Sequence, residues 1–159
     1  MKKKFNICVA MGTRPEVIKL APVIQALREL LGVRVTVLVT GQHRSMMDEA
    51  LKVFRIRPDH DLDIMRPGQS LFDVTARILQ AMPAVLARRP VDLMVVQGDT
   101  ATTFACALAA YYQRIPVAHV EAGLRTSDKY RPFPEEMNRR LTGALADLHF
   151  PPTPQAGRD

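Results

Sequence analysis

The sequence predicts an α/β domain built on a mostly parallel sheet, and three observations carry that expectation. Short β-rich runs alternate with longer amphipathic ones along the chain. The run VDLMVVQG at 91–98 is apolar without a break, the pattern of a strand covered on both faces. Six strands in this rhythm favour repeated βαβ units. Together these describe a doubly wound, Rossmann-like sheet with expected strand order 3-2-1-4-5-6.

Each element has its own justification. FNICVAM (5–11) reads as the first strand, bounded by Gly12. PEVIKLAPVIQALRELL (15–31) reads as a helix, with Pro15 in the first turn and apolar residues at Val17, Leu20, Ile24, Leu27 and Leu31. Pro22 is expected to kink it. VRVTVLVT (33–40) is the clearest strand, a helix is expected from about Ser45 to Phe54, and HDLDIM (60–65) is a weaker strand. SLFDVTARILQAMPAVLAR (70–88) is a second long helix with a bend expected at Pro83. Strand 91–98 is followed by a helix rich in small residues, ATTFACALAAYYQR (101–114). PVAHVEA (116–122) is a strand, EEMNRRLTGALAD (135–147) a helix, and LHFP opens the last strand. Repeats and low-complexity segments are absent from the sequence.

Composition bounds the function classes. The 159 residues are 47% hydrophobic and 24% charged, ordinary for a globular domain. Lys plus Arg number 22 against 16 Asp plus Glu, a balance of +6 that suits an anionic ligand such as a phosphate ester, or simply a basic soluble surface. The basic residues are scattered, Trp is absent and aromatics are 6%, which argues against a nucleic-acid partner. Cys8 and Cys106 lie in apolar runs and read as buried hydrophobes, so a reducing compartment is favoured. The apolar stretch after Met1-Lys2-Lys3-Lys4 is too short for a signal peptide, and no run reaches membrane-spanning length. The expected location is the cytoplasm.

In the expected strand order, strands 1, 4 and 5 are neighbours, and their carboxyl ends carry GTRPE, QGDT and VEAGLRT. Arg14, Asp99 and Glu121 should therefore meet at one rim, where the order reverses and such sheets bind ligands. Gly12 permits a sharp turn, and the helix start after it offers free N–H groups that, with Arg14 and Lys19, would seat an anion; equally, Arg14 pairs with a surface carboxylate. Asp99 is either a functional carboxylate or the cap of the next helix. Glu121 either has a use or pairs simply with Arg125. Glu135 and Glu136 fit a first turn that favours acids through the helix dipole. His43 reads as a loop hydrogen-bonder, and His119 as a satisfied core histidine. The four histidines lack metal-ligand spacing.

GTRPE with Lys19, TGQHR, QGDTATT, HVEAGLRT and PFPEEMNRRLT, in this order, closely resemble the signatures of the non-hydrolysing UDP-N-acetylglucosamine 2-epimerases. The likeness runs from about Phe5 to the end; hydrolysing relatives carry different strings. It implies one half of a two-domain fold of the GT-B type, with the active site between the domains. Residues 5–150 match the first domain, and PPTPQAGRD (151–159) the start of the connection. The second, UDP-binding domain lies outside this chain, which by itself is expected to be inactive.

The resemblance further implies interconversion of UDP-GlcNAc and UDP-ManNAc by elimination and re-addition of UDP through 2-acetamidoglucal. That places Asp99, Glu121 and Glu135 as catalytic carboxylates and Arg14, Lys19, His43 and Arg139 as substrate-binding groups. No cofactor is expected, and the full-length protein is expected to be a homodimer serving surface-polysaccharide synthesis. The competing readings are a 2-epimerase for another UDP-HexNAc, such as a diacetamido uronic acid, a non-catalytic module, and a GT-B glycosyltransferase, which the paired carboxylates disfavour.

Overall fold

A computed structural model describes residues 4–41 and 44–158. Its strands are β1 (Phe5–Met11), β2 (Val33–Val39), β3 (His60–Asp61), β4 (Leu93–Gln97), β5 (Val117–Val120) and β6 (Leu148–Phe150), and its helices α1 (Arg14–Glu29), α2 (Arg44–Val53), α3 (Leu71–Arg88), α4 (Ala101–Tyr112) and α5 (Glu135–Leu145). The strands form one six-stranded sheet in the order β3-β2-β1-β4-β5-β6, and every pairing is parallel. Both the α/β class and the strand order agree with the sequence expectation. α1 and α3 continue through Pro22 and Pro83.

The two-residue period of a strand divides the core. Ile7, Val9 and Met11 of β1 face one side, where they pack with Val17, Leu20 and Ile24 of α1 and Met47 of α2. Cys8 and Ala10 face the other, with Ile78 and Met82 of α3 and Ala105, Cys106 and Ala109 of α4. α4 lies between α3 and α5 on that side, and its alanines let its backbone come close to the sheet. Cys8 and Cys106 are free and buried, and burial pushes the Cys8 thiol up to about 12. Among the described residues, no helix is long and apolar enough to cross a membrane.

Candidate active site

The rim begins where β1 stops. Gly12 is required there for space rather than for an unusual φ: a Cβ on it would run into the hydroxyls of Thr102 and Thr40, which bond each other at 2.8 Å. The next turn holds a feature that the sequence reading passed over. Glu16 is 2% exposed, and its Oε2 accepts the Gly12 N–H at 2.8 Å, the Thr13 N–H at 2.7 Å and the Thr13 hydroxyl at 2.8 Å. Its Oε1 accepts from the Thr100 hydroxyl at 2.8 Å, and Thr103 Oγ1 lies 3.2 Å away. This internal carboxyl takes two of the amides expected to be free for an external anion. It also ties the β1–α1 turn to the start of α4. The signal was present in the T-x-x-E spacing of Thr13 and Glu16, a capping box.

Asp99 follows β4. Thr100, not Asp99, caps α4, with its hydroxyl accepting the Thr103 N–H at 3.1 Å. That overturns the capping alternative and leaves the Asp99 carboxylate for other work. Its Oδ2 takes a hydrogen bond from Arg139 Nη1 at 2.9 Å, and its backbone carbonyl takes one from Asn138 Nδ2 at 2.9 Å. Burial pushes the Asp99 carboxyl above its ordinary range. The Arg139 and Lys19 charges oppose that rise, while the Glu135 and Glu121 charges reinforce it. All four groups are thus close enough to bear on Asp99 electrostatically.

Glu121 closes the rim after β5. Its φ is +63°, a left-handed backbone that costs a non-glycine residue about 1–3 kcal/mol and collects at functional sites. Its N–H bonds to the Phe150 carbonyl at 2.9 Å. Oε2 pairs with Lys19 Nζ at 2.5 Å and accepts a short hydrogen bond from Gln97 Nε2. The alternative pair with Arg125 does not form; Arg125 Nη1 instead donates to the Leu124 carbonyl at 2.9 Å. Gln97 was not singled out from the sequence, because its place at the end of an apolar run gave it no pattern.

Glu135 is half-buried at the first position of α5. Glu136 is fully buried, so its role exceeds a dipole contact: it bonds Arg139 Nη2 at 3.0 Å and Arg140 Nε at 2.8 Å. Burial raises its carboxyl, but bonds from Arg140, the Thr126 backbone and Arg139 outweigh that and leave it below the ordinary range. Glu136 thereby aims Arg139 at Asp99. Arg14 stands exposed as the first residue of α1, without a hydrogen bond or ion pair to another described residue. His43 lies outside the described residues. His119 is buried but only half satisfied: Nε2 bonds the Gly98 carbonyl at 2.7 Å, while Nδ1 has no partner among the described residues. Among those residues, no cluster of His, Cys, Asp and Glu could hold a metal ion.

The structure brings Asp99, Glu121, Lys19 and Arg139 together and sets Glu135 beside them, with one acid held above its ordinary protonation range and another against an ammonium. Such a pairing can take a proton at one atom and return it at another. A doubly wound sheet with these charged groups at its switch point defines the class: a Rossmann-like domain with a candidate active site at the carboxyl ends of its strands.

Comparison with known proteins narrows the class. The chain belongs to the UDP-N-acetylglucosamine 2-epimerase family, whose family model matches residues 25–159. The UDP-N-acetylglucosamine 2-epimerase of Escherichia coli (strain K12) is 55% identical over 149 residues, 94% of this chain and 40% of that protein. The enzyme of the same name from Yersinia pestis is 54% identical over 149 residues, again 94% and 40%. The crystal structure of UDP-GlcNAc 2-epimerase from Neisseria meningitidis bound to UDP-GlcNAc superposes with a TM-score of 0.93 at 48% identity, covering 97% of this chain and 42% of that one. This chain therefore spans about two fifths of the length of the relatives it matches.

Proposed function

We propose that the full-length protein carrying this domain interconverts UDP-GlcNAc and UDP-ManNAc. The observation that supports it most directly is the grouping of Asp99, Glu121, Lys19 and Arg139 at the carboxyl rim, beside Glu135. The C2–H of a 2-acetamido sugar is barely acidic, so the economical route removes that proton as the C1–O bond to UDP breaks. The C–H electron pair becomes the C1=C2 bond of 2-acetamidoglucal, and UDP leaves with the C–O pair. In the return step a diphosphate oxygen adds to C1, and a proton reaches C2 on the opposite face. Oxidation state is unchanged overall.

A carboxylate near C1 stabilises the developing oxocarbenium charge, and two others serve the two faces of C2. Asp99, held above the ordinary carboxyl range chiefly by burial, suits proton delivery. Glu121, paired with Lys19, suits charge stabilisation. Arg14 is exposed on the same rim and is free to meet the diphosphate; His43 belongs with it in this reading. Residues 5–150 form the first domain and 151–159 begin the connection to a second, UDP-binding domain in a cytoplasmic homodimer.

The test is incubation of the full-length protein with UDP-GlcNAc in heavy water. Epimerised product with deuterium at C2 is the expected result. Product with only protium at C2 refutes the elimination route, and turnover of a different UDP-HexNAc in its place refutes the substrate. The 159-residue chain alone is expected to be inactive.

A further inference from the structure

His119 is a titratable side chain that the proton transfers do not need, yet it is fully buried beside them. It leads into Glu121 through Val120, and its ring crosses to the neighbouring strand end, where Nε2 meets the Gly98 carbonyl at 2.7 Å. Gly98 is left-handed, with φ +75°, and immediately precedes Asp99. Its N–H is held from the same strand by the Val120 carbonyl at 3.0 Å. The backbone on both sides of Gly98 is thus fixed by β5. We propose that His119 is a positioning residue that sets Asp99 and Glu121 in register with each other through the Gly98 carbonyl. This rests on the epimerase reading above.

The tautomer follows from the partners. A carbonyl only accepts, so Nε2 carries the proton and Nδ1 is bare. Nδ1 is buried without a partner among the described residues, so a second proton there would be an unmatched donor. Around the ring stand Glu121, Arg125 and His149, the last its register partner on β6. Burial holds the imidazole below its ordinary range, with the Gly98 bond and the Glu121 charge opposing that and His149 and Arg125 adding to it. A ring locked neutral by its surroundings orients the backbone and does not shuttle protons.

The geometry separates two amide substitutions. Glutamine places its NH2 near the Nε2 position and can reach Gly98 O; asparagine reaches only about as far as the unpartnered Nδ1. In the full-length protein, H119Q should keep kcat within about threefold, while H119N should lose about 10- to 100-fold in kcat with KM within about twofold, the cost of sub-ångström misplacement of reacting groups. H119N should also release more free 2-acetamidoglucal per turnover, because a misaligned re-addition then lags behind elimination and the intermediate escapes. Equal kcat for the two variants, high or low, overturns the proposal. Should H119N fail to fold, H119Q decides: a loss of about 100-fold or more marks a proton carrier and overturns positioning. Wild-type protein without epimerase activity would instead sink the reading on which this rests, a distinct outcome.

Discussion

Replacing Glu16 with leucine tests the clamp beneath the rim. Four donor groups hold the carboxyl, with the Thr103 hydroxyl 3.2 Å away, and they differ in what they can do without it. The hydroxyls can rotate; Thr103 Oγ1 already donates to the Gln97 carbonyl at 2.6 Å. The Gly12 and Thr13 amides cannot. Each buried N–H left without an acceptor costs about 1–3 kcal/mol, and removal of a buried carboxyl returns part of that. The net cost should be about 2–4 kcal/mol, a large share of a total stability of about 5–15 kcal/mol. For a chain of this size that lowers Tm by about 5–15 °C, read by circular dichroism.

E16Q is the control: its amide oxygen can face the two N–H groups while its NH2 faces Thr100 and Thr103, so it should stay within about 1 kcal/mol of wild type. A pH series adds a sign. Burial pushes the Glu16 carboxyl above its ordinary 4.5, against hydrogen bonds from Gly12, Thr13 and Thr100. The folded state then binds this proton more tightly than the unfolded chain. The corresponding stability is present below pH 4.5 and is lost as pH rises through the folded value, a loss that E16Q should not share. A leucine variant as stable as wild type, or a glutamine variant as damaged as leucine, refutes the clamp.

Two further substitutions probe the supports of Asp99 and β1. R139M leaves Glu136, whose side chain is 0% exposed, with one arginine instead of two and strips Asp99 of its partner; urea unfolding should register a loss of about 3–5 kcal/mol, and a loss below about 1 kcal/mol would contradict the buried pairing. G12A drives a Cβ into the Thr40 and Thr102 hydroxyls and should cost about 1–3 kcal/mol; an unchanged melting curve would mean that the turn is not as tight as described.

Much of the layer structure was legible. Strand alternation named all six strands, and β1 and α5 start where the pattern placed them. β3 shrank from the expected 60–65 to His60–Asp61: the backbone turns left-handed at Asp63, with φ +46°, which ends the extended run, while Ile64 just beyond it is still buried in the core. Asp99 and Glu121 were legible as carboxylates at strand ends. Their partners were not: Lys19 reaches Glu121 across 102 positions, and Arg139 reaches Asp99 across 40. Arg125, only four positions from Glu121, was the nearer guess and did not pair with it. Thr100 took the cap that Asp99 could have served, and Glu136, read as a dipole contact, proved to be a buried anchor for two arginines.

The residue order by itself determined the layers and the succession of strands. Both follow from a two-residue strand period, a helical period near four and short crossovers between parallel strands, all local or nearest-neighbour properties. The tertiary structure alone decided which cation meets which acid across the strands, and that the Glu16 carboxyl, tied locally to Gly12 and Thr13, would also meet the Thr100 and Thr103 hydroxyls at the start of α4. Those outcomes depend on separations of about 3 Å between chain segments brought together only when the sheet closes.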